Sequence, residues 1–287
     1  MIEIPEANTH MRQLNKTVAG KEIINALAGS SPHGFAWFSA DPAIYGVMLN
    51  NNTVEKAVCY GGRPELQTEN MILSFNDGVN IRYIEKGAKR PVKHQLLLEF
   101  ADGSAVVCTV QMYGGMFCYP RYAGEQQMKF TVSPEDFYYR MAKEKPSPLL
   151  DEFDEEYFAS LFTAKTKNLS SKAFLATEQR IPGLGNGVLQ DILFNAKIHP
   201  RRKLMTLSDA EKQNMYDSVT QTLSEMTANG GRDTEKDIYG VDGGYKTKLS
   251  AKTKNDSCPV CSGEVIREAY LGGNIYFCPT CQKPPVK

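Results

Sequence analysis

No stretch of this 287-residue chain approaches the roughly 20 consecutive apolar residues that a membrane-spanning helix needs. The N-terminus carries Glu3 and Glu6 and no basic start, so it lacks the pattern of a secretory signal peptide. Neither export nor membrane insertion is expected, and the cytoplasm is the expected compartment. Net charge is missing as well, because 33 basic and 33 acidic side chains cancel. That excludes a uniformly basic surface, although a nucleic-acid binder needs only a local basic face. The charge is segregated: Asp151, Glu152, Asp154, Glu155 and Glu156 form one acidic run, whereas Lys197, Arg201, Arg202 and Lys203 form a basic one. An even number of cysteines is also lacking. Of seven, four stand at metal-binding spacing, while Cys59, Cys108 and Cys118 lie in apolar segments and read as buried thiols of a reducing compartment. With 41% hydrophobic and 23% charged residues, what remains is a globular chain of one or two domains with sizeable cores.

The chain is organised around Ser170–Pro200, two apolar-periodic segments joined by Ile181-Pro182-Gly183-Leu184-Gly185-Asn186. Pro182, Gly183 and Gly185 break the helix and permit positive φ, so backbone amides can converge beside the N-terminus of the next helix. Such a corner binds anions, and Asn186 adds a side-chain donor. Lys172, Lys197, Arg201, Arg202 and Lys203 surround it with positive charge. The same pattern also suits an ordinary helix hairpin with a glycine turn.

Before this centre, residues 1–20 read as a strand-like stub and a helix. Pro5 suits its first turn, Glu6 complements the positive dipole end, and Ala7, Met11, Leu14 and Val18 mark the buried face. Phe35–Phe38, Tyr45–Leu49, Met71–Phe75, Val79–Ile84, Gln95–Phe100 and Ala105–Gln111 are rich in β-formers. Asn76-Asp77-Gly78 and Asp102-Gly103 are hairpin-type turns between them. Several short strands in succession predict a sandwich or barrel. Pro134, Pro146 and Pro148 among charges suggest a linker, Tyr157–Leu161 starts a helical region, and Leu207–Met226 supplies a long helix capped by Ser208. Taken alone, Lys93 belongs to an ordinary basic loop and Met112 to a core.

Cys258-Pro-Val-Cys261 and Cys278-Pro-Thr-Cys281 are paired knuckles whose four thiolates can converge on a tetrahedral zinc. Tyr270, Ile275 and Phe277 suit a two-stranded hairpin between them. A four-cysteine shell leaves no open position, so this zinc is expected to be structural, one per chain. Reduced cysteines without metal are the alternative.

Three features together, the GLGN-type loop at Gly183–Asn186, the terminal Cys278-Pro-Thr-Cys281-Gln282 and the opening Met-Ile-Glu-Ile-Pro-Glu, resemble the formamidopyrimidine-DNA glycosylase and endonuclease VIII family. The resemblance implies an N-terminal β-sandwich with flanking helices, a helix–two-turns–helix domain and a zinc finger, an α+β multidomain fold. The corresponding boundaries are 1–135, a linker at 136–149, 150–250 and 251–287. It implies Glu3 as the proton-handling carboxylate, with Glu6 positioning it or holding the helix start, and Lys93, Met112 and Asn186 as DNA contacts; Lys172 beside the glycine corner and Asn274, which can donate an amide bond next to Gly273, are further candidate contacts. Met112 matches a side chain that the family wedges into the duplex. Two positions depart from the family. Ile2 stands where the family's nucleophilic proline lies, and Gly273 stands where its finger carries an arginine. A bulky second residue leaves the initiator methionine in place, so the nitrogen of Ile2 is an unreactive amide.

The expected function is repair of damaged duplex DNA by a monomer that flips the damaged base and hydrolyses its N-glycosidic bond. Abasic-site lyase activity is expected to be weak or absent. A non-catalytic damage-binding or architectural homologue is the second reading, and a zinc module for protein or RNA the third.

Overall fold

The computed structural model describes residues 1–76, 78–122 and 137–284. Asp77 and Pro134, with the expected boundary between 135 and 136, lie outside the described residues. The chain opens with α1 (Ile4–Thr17), which has Pro5 in its first turn and Lys16 in its last. Ala7, Leu14 and Val18 are buried as the periodicity predicts, and Met11 packs against the same core.

Nine strands follow: β1 (Glu22–Ala28), β2 (Ala36–Phe38), β3 (Asn52–Tyr60), β4 (Arg63–Thr68), β5 (Met71–Phe75), β6 (Val79–Ile84), β7 (Leu96–Phe100), β8 (Ala105–Val110) and β9 (Gly114–Pro120). Their order is β2-β9-β5-β4-β3-β1-β7-β8-β6, antiparallel except where β2 runs parallel to β9. The join at β1–β3 is short, Glu22 opposite Thr53 and Ile23 opposite Asn52. On either side of it the two halves fold over a shared core, in which Leu66, Leu73 and Phe75 from one half meet Ile81, Leu98 and Val106 from the other. This is the expected two-layered sandwich.

Tyr45–Leu49 is not a strand. Asp41 accepts a hydrogen bond from the amide of Ala43, Pro42 starts a 3-10 turn, and the chain runs on into α2 (Tyr45–Leu49). Its apolar run covers the sheet instead of joining it, with the Tyr45 hydroxyl donating to the Met116 carbonyl at 2.6 Å. A start signal of the Asp-Pro type outweighed β-propensity, which is only a weak prior.

Within the expected linker lies α3 (Phe137–Glu144), whose Tyr139 hydroxyl donates to the buried Glu65 of β4 at 2.5 Å. Next come α4 (Glu155–Ser160), α5 (Ser171–Ala176), α6 (Asn186–Asn195) and α7 (Asp209–Ala228). Asp154, Ser170 and Ser208 cap three of them with side-chain oxygens. Phe174, Leu189, Ile192, Val219, Leu223 and Met226 form the core of this helical unit. The chain ends in an antiparallel hairpin, β10 (Ile266–Tyr270) and β11 (Gly273–Phe277), between the two cysteine pairs. Among the described residues no helix is long and apolar enough to cross a membrane.

Candidate active site at the N-terminal seam

Ile2 is 5% exposed in the sandwich core, whereas Ile4 is fully buried in the helical core. The N-terminus is thereby stretched across the seam between the two units. Ile4 also donates its amide to the Gly183 carbonyl at 3.1 Å. Gly183 has φ +80°, and a Cβ there would lie 2.1 Å from the amide nitrogen of Gly62. Only glycine admits both that conformation and that approach. The loop predicted to be a tight corner is therefore what clamps the two units together.

Glu3 is consequently held against the start of α6. Its carboxylate accepts the amides of Gly187 at 2.9 Å and Val188 at 2.8 Å. These are the amides that the sequence suggested for an external anion; in the folded chain Glu3 supplies the anion itself. Glu6 accepts the amide of Glu3 at 3.1 Å, and both carboxylates are nearly inaccessible to solvent.

A third group, which no sequence pattern suggested, completes the cluster. Arg232 is 2% exposed and forks onto Glu6, with Nε at 3.0 Å and Nη2 at 2.8 Å from its two oxygens. Its backbone amide donates to Glu6 as well, at 3.0 Å, and its Nη1 lies 3.6 Å from Glu3. Burial pushes the Glu3 carboxyl above its ordinary range, Arg232 opposing and Glu6 assisting. Burial acts upward on Glu6 too, but the charge and hydrogen bonds of Arg232 outweigh it and leave that group lowered. Beyond the cluster, the Met1 ammonium is ion-paired with Glu235.

Two cavities flank this seam. One of about 370 Å³ is lined by Met1, Ile2 and Glu3 together with Tyr60, Arg63 and Tyr138. The other, of about 160 Å³, is lined by Met1, Ile2 and Glu6 with Asn80, Gln111, Met112 and Tyr113. Met112 is 74% exposed, not the core residue that its local context suggests. Lys93 is exposed on the loop before β7 and lines neither cavity.

Asn186, Lys172 and Asn274 meet elsewhere, at the finger. The Asn186 side chain donates to the Asn274 carbonyl at 3.0 Å, and the Lys172 ammonium to the Tyr270 carbonyl at 2.6 Å. Of the basic cluster, Arg201 pairs with Glu268 and Arg202 with Glu211, so much of its charge is answered internally. Gly273 faces Asn186, a Cβ there falling 3.3 Å from its side-chain nitrogen. The Sγ atoms of Cys258, Cys261, Cys278 and Cys281 lie within 4.8 Å of one another, a set able to hold a metal ion.

Three glycines make the room for Arg232 and its carboxylates, and Gly187 is the most demanding. A Cβ at 187 would stand 1.6 Å from Nη1 of Arg232. Gly187→Ala should therefore displace the guanidinium and destabilise the fold by about 1–3 kcal/mol, read by chemical denaturation. An unchanged midpoint would place the guanidinium elsewhere.

Residues 145–237 match the Formamidopyrimidine-DNA glycosylase H2TH domain. The formamidopyrimidine-DNA glycosylase of Carboxydothermus hydrogenoformans is 34% identical over 208 residues, spanning 66% of this chain and 77% of that protein. That of Cytobacillus firmus is 25% identical over 293 residues, covering 98% of this chain and all of the other. The structure of the Lactococcus lactis Fpg in complex with DNA containing an abasic site superposes with a TM-score of 0.80 at 22% identity, over 98% of this chain and the whole of that one. With its GLGN-type loop clamped against the N-terminus and its four cysteines gathered behind, the chain belongs to the formamidopyrimidine-DNA glycosylase family.

Proposed function

We propose that this protein is a DNA-repair glycosylase that binds duplex DNA carrying a damaged base, turns the base out of the stack and hydrolyses its N-glycosidic bond. The observation that carries this reading is the buried pair Glu3 and Glu6, set at the seam with one carboxylate lining each cavity. The smaller cavity suits an extruded base, since Asn80 and Gln111 offer hydrogen-bonding groups and Tyr113 an apolar face. Family relatives bear the name formamidopyrimidine-DNA glycosylase, and one solved relative is in complex with DNA containing N7-benzyl-Fapy-dG.

In this reading Glu3 takes a proton from a water in the larger cavity. The water oxygen bonds to the sugar C1′ as the bond from C1′ to the base nitrogen breaks, and the proton that Glu3 has taken from the water passes to the departing base. A carboxyl pushed upward by burial is suited to such transfer near neutral pH. A Schiff base has no support from position 2, because Ile2 contributes an internal amide and a buried side chain. The Met1 amine is engaged by Glu235.

A second reading, damage binding without reaction, is favoured by the same contacts, since Glu3 and Glu6 already have partners within the chain. Excision on duplexes with oxidised bases separates the two. We expect base release that Glu3→Gln abolishes while binding persists, and little borohydride-trapped adduct or nicking of abasic DNA. Binding with no release would establish the second reading, and efficient trapping with Met1 intact would overturn the hydrolytic one.

The exposed Lys93 and Met112 are proposed as DNA contacts, Lys93 to phosphate and Met112 to the space left by the extruded base. Lys93→Ala should weaken binding to all sequences alike and lower the salt slope by about one unit in an anisotropy titration. An unchanged slope removes Lys93 from the interface.

The four cysteines fit zinc. Four sulfurs at about 2.3 Å from a tetrahedral ion stand about 3.8 Å apart. The Sγ separations of 3.8 Å for Cys258–Cys281 and 3.4 Å for Cys261–Cys278 agree with that spacing. With all four positions filled by thiolates, the ion supplies structure and no chemistry. Cys278→Ser should lose the metal and unfold the finger while the sandwich stays folded, as metal analysis and circular dichroism would show. Purified protein without near-stoichiometric zinc would refute this.

A further inference from the structure

Resting on the reading of Glu3 as the proton-transferring carboxylate, we propose that Arg232 is a positioning residue that divides the labour of the pair, fixing Glu6 as a permanent anion and leaving Glu3 free to exchange its proton. The argument begins with charge. Two buried carboxylates share one buried guanidinium, so the cluster is neutral only when one carboxylate holds a proton.

Geometry selects which one. Glu6 receives the two-pronged fork of Arg232, the backbone amide of the same residue and the amide of Glu3. Glu3 receives two amides from α6, and its nearest guanidinium nitrogen stands at 3.6 Å, outside hydrogen-bonding distance. The opposite displacements of the two carboxyls, Glu3 upward and Glu6 downward, agree with this asymmetry. Separated environments for two neighbouring carboxyls are how one site assigns acid and base roles.

The chain is also built around the guanidinium. Besides the 1.6 Å encounter at Gly187, a Cβ at Gly185 would lie 2.6 Å from Glu3 Oε1, and one at Gly231 would lie 3.3 Å from Glu6 Oε1. Gly231, at φ +98°, follows the end of α7 and aims Arg232 back at the seam. Arg232 Nη2 further donates to the Met1 carbonyl at 3.3 Å, so the residue that sets the charge of the pair also holds the N-terminus that carries it.

Other titratable groups face the cluster. His10 comes from α1, Glu235 from the loop after α7 with the Met1 ammonium it binds, and Lys236 lines the cavity shared with Glu6. Tyr60, Arg63 and Tyr138 line the cavity shared with Glu3. None of these forms the fork that Arg232 makes on Glu6.

The test is a carboxyl-selective NMR titration of the full chain, with Glu3 and Glu6 assigned through Glu3→Gln and Glu6→Gln, alongside single-turnover excision measured against pH. In the wild type the two carboxyls should titrate apart, Glu6 below Glu3. Arg232→Lys keeps a charge but loses the fork, so Glu6 should rise and the gap narrow. Arg232→Met should raise both by about one unit or more and move the limb of the pH–rate profile due to Glu3 upward by a similar amount. Should Arg232→Met fail to fold, Arg232→Lys alone decides. Coincident titration of the two carboxyls in the wild type, or an unchanged gap in Arg232→Lys, would overturn the proposal. A wild type that separates the carboxyls yet releases no base would leave the division standing and sink only the glycosylase reading.

Discussion

A single buried ion cluster connects the parts of this molecule. Glu3 and Glu6 come from the start of α1, the amides that hold Glu3 from the start of α6, and Arg232 from the loop after α7. Taking three charged groups out of water is costly, and their mutual attraction roughly offsets that cost only when the geometry is good. Loss of one member leaves another charge buried and unpaired, a penalty of about 3–5 kcal/mol. The cluster thus demands one arrangement of the two units more than it stabilises that arrangement.

The apolar contacts make the same demand. Ile2 in one core and Ile4 in the other leave no slack between them, and the approach of Gly183 to Gly62 excludes any side chain at the contact. The side chain at position 2 completes the sandwich core, and with Met1 preceding it the nitrogen of Ile2 is part of a peptide bond.

The finger is seated by polar matching as well as by an apolar cluster in which Phe194 of α6 meets Val265 and Tyr276. Gln190 of α6 accepts the amide of Tyr276 at 2.9 Å and donates to the carbonyl of Asn274 at 3.2 Å, so its side chain extends the hairpin's bonding. Gln282 accepts the Cys278 amide and donates to the Ile198 carbonyl. Asn186 and Lys172 belong to the same scheme. In this structure Asn186 and Lys172, candidate DNA contacts by position, bond partly buried backbone carbonyls of the finger hairpin.

Local rules were enough for much of this chain. The periodicity of α1, the Ser208 cap, the glycine corner before α6 and the cysteine spacing were legible because each depends on neighbours within a few residues. So was the sandwich, although β1, β3, β4 and β9 lie outside the runs singled out as rich in β-formers. Tyr45–Leu49 was misread because a β-rich composition hid an Asp-Pro helix start. The carboxylates of the site were visible at positions 3 and 6, but their environment was not. Arg232 lies more than two hundred residues away, and nothing in Gly230-Gly231-Arg232 announces a partner. Only the closure of the fold brings that guanidinium to Glu6 and gives the α6 amides to Glu3. Sequence by itself determined many of the elements and which ionisable groups and thiols are present. Tertiary structure decided who pairs with whom, because the cost of a buried charge depends on groups that meet only after the chain has folded.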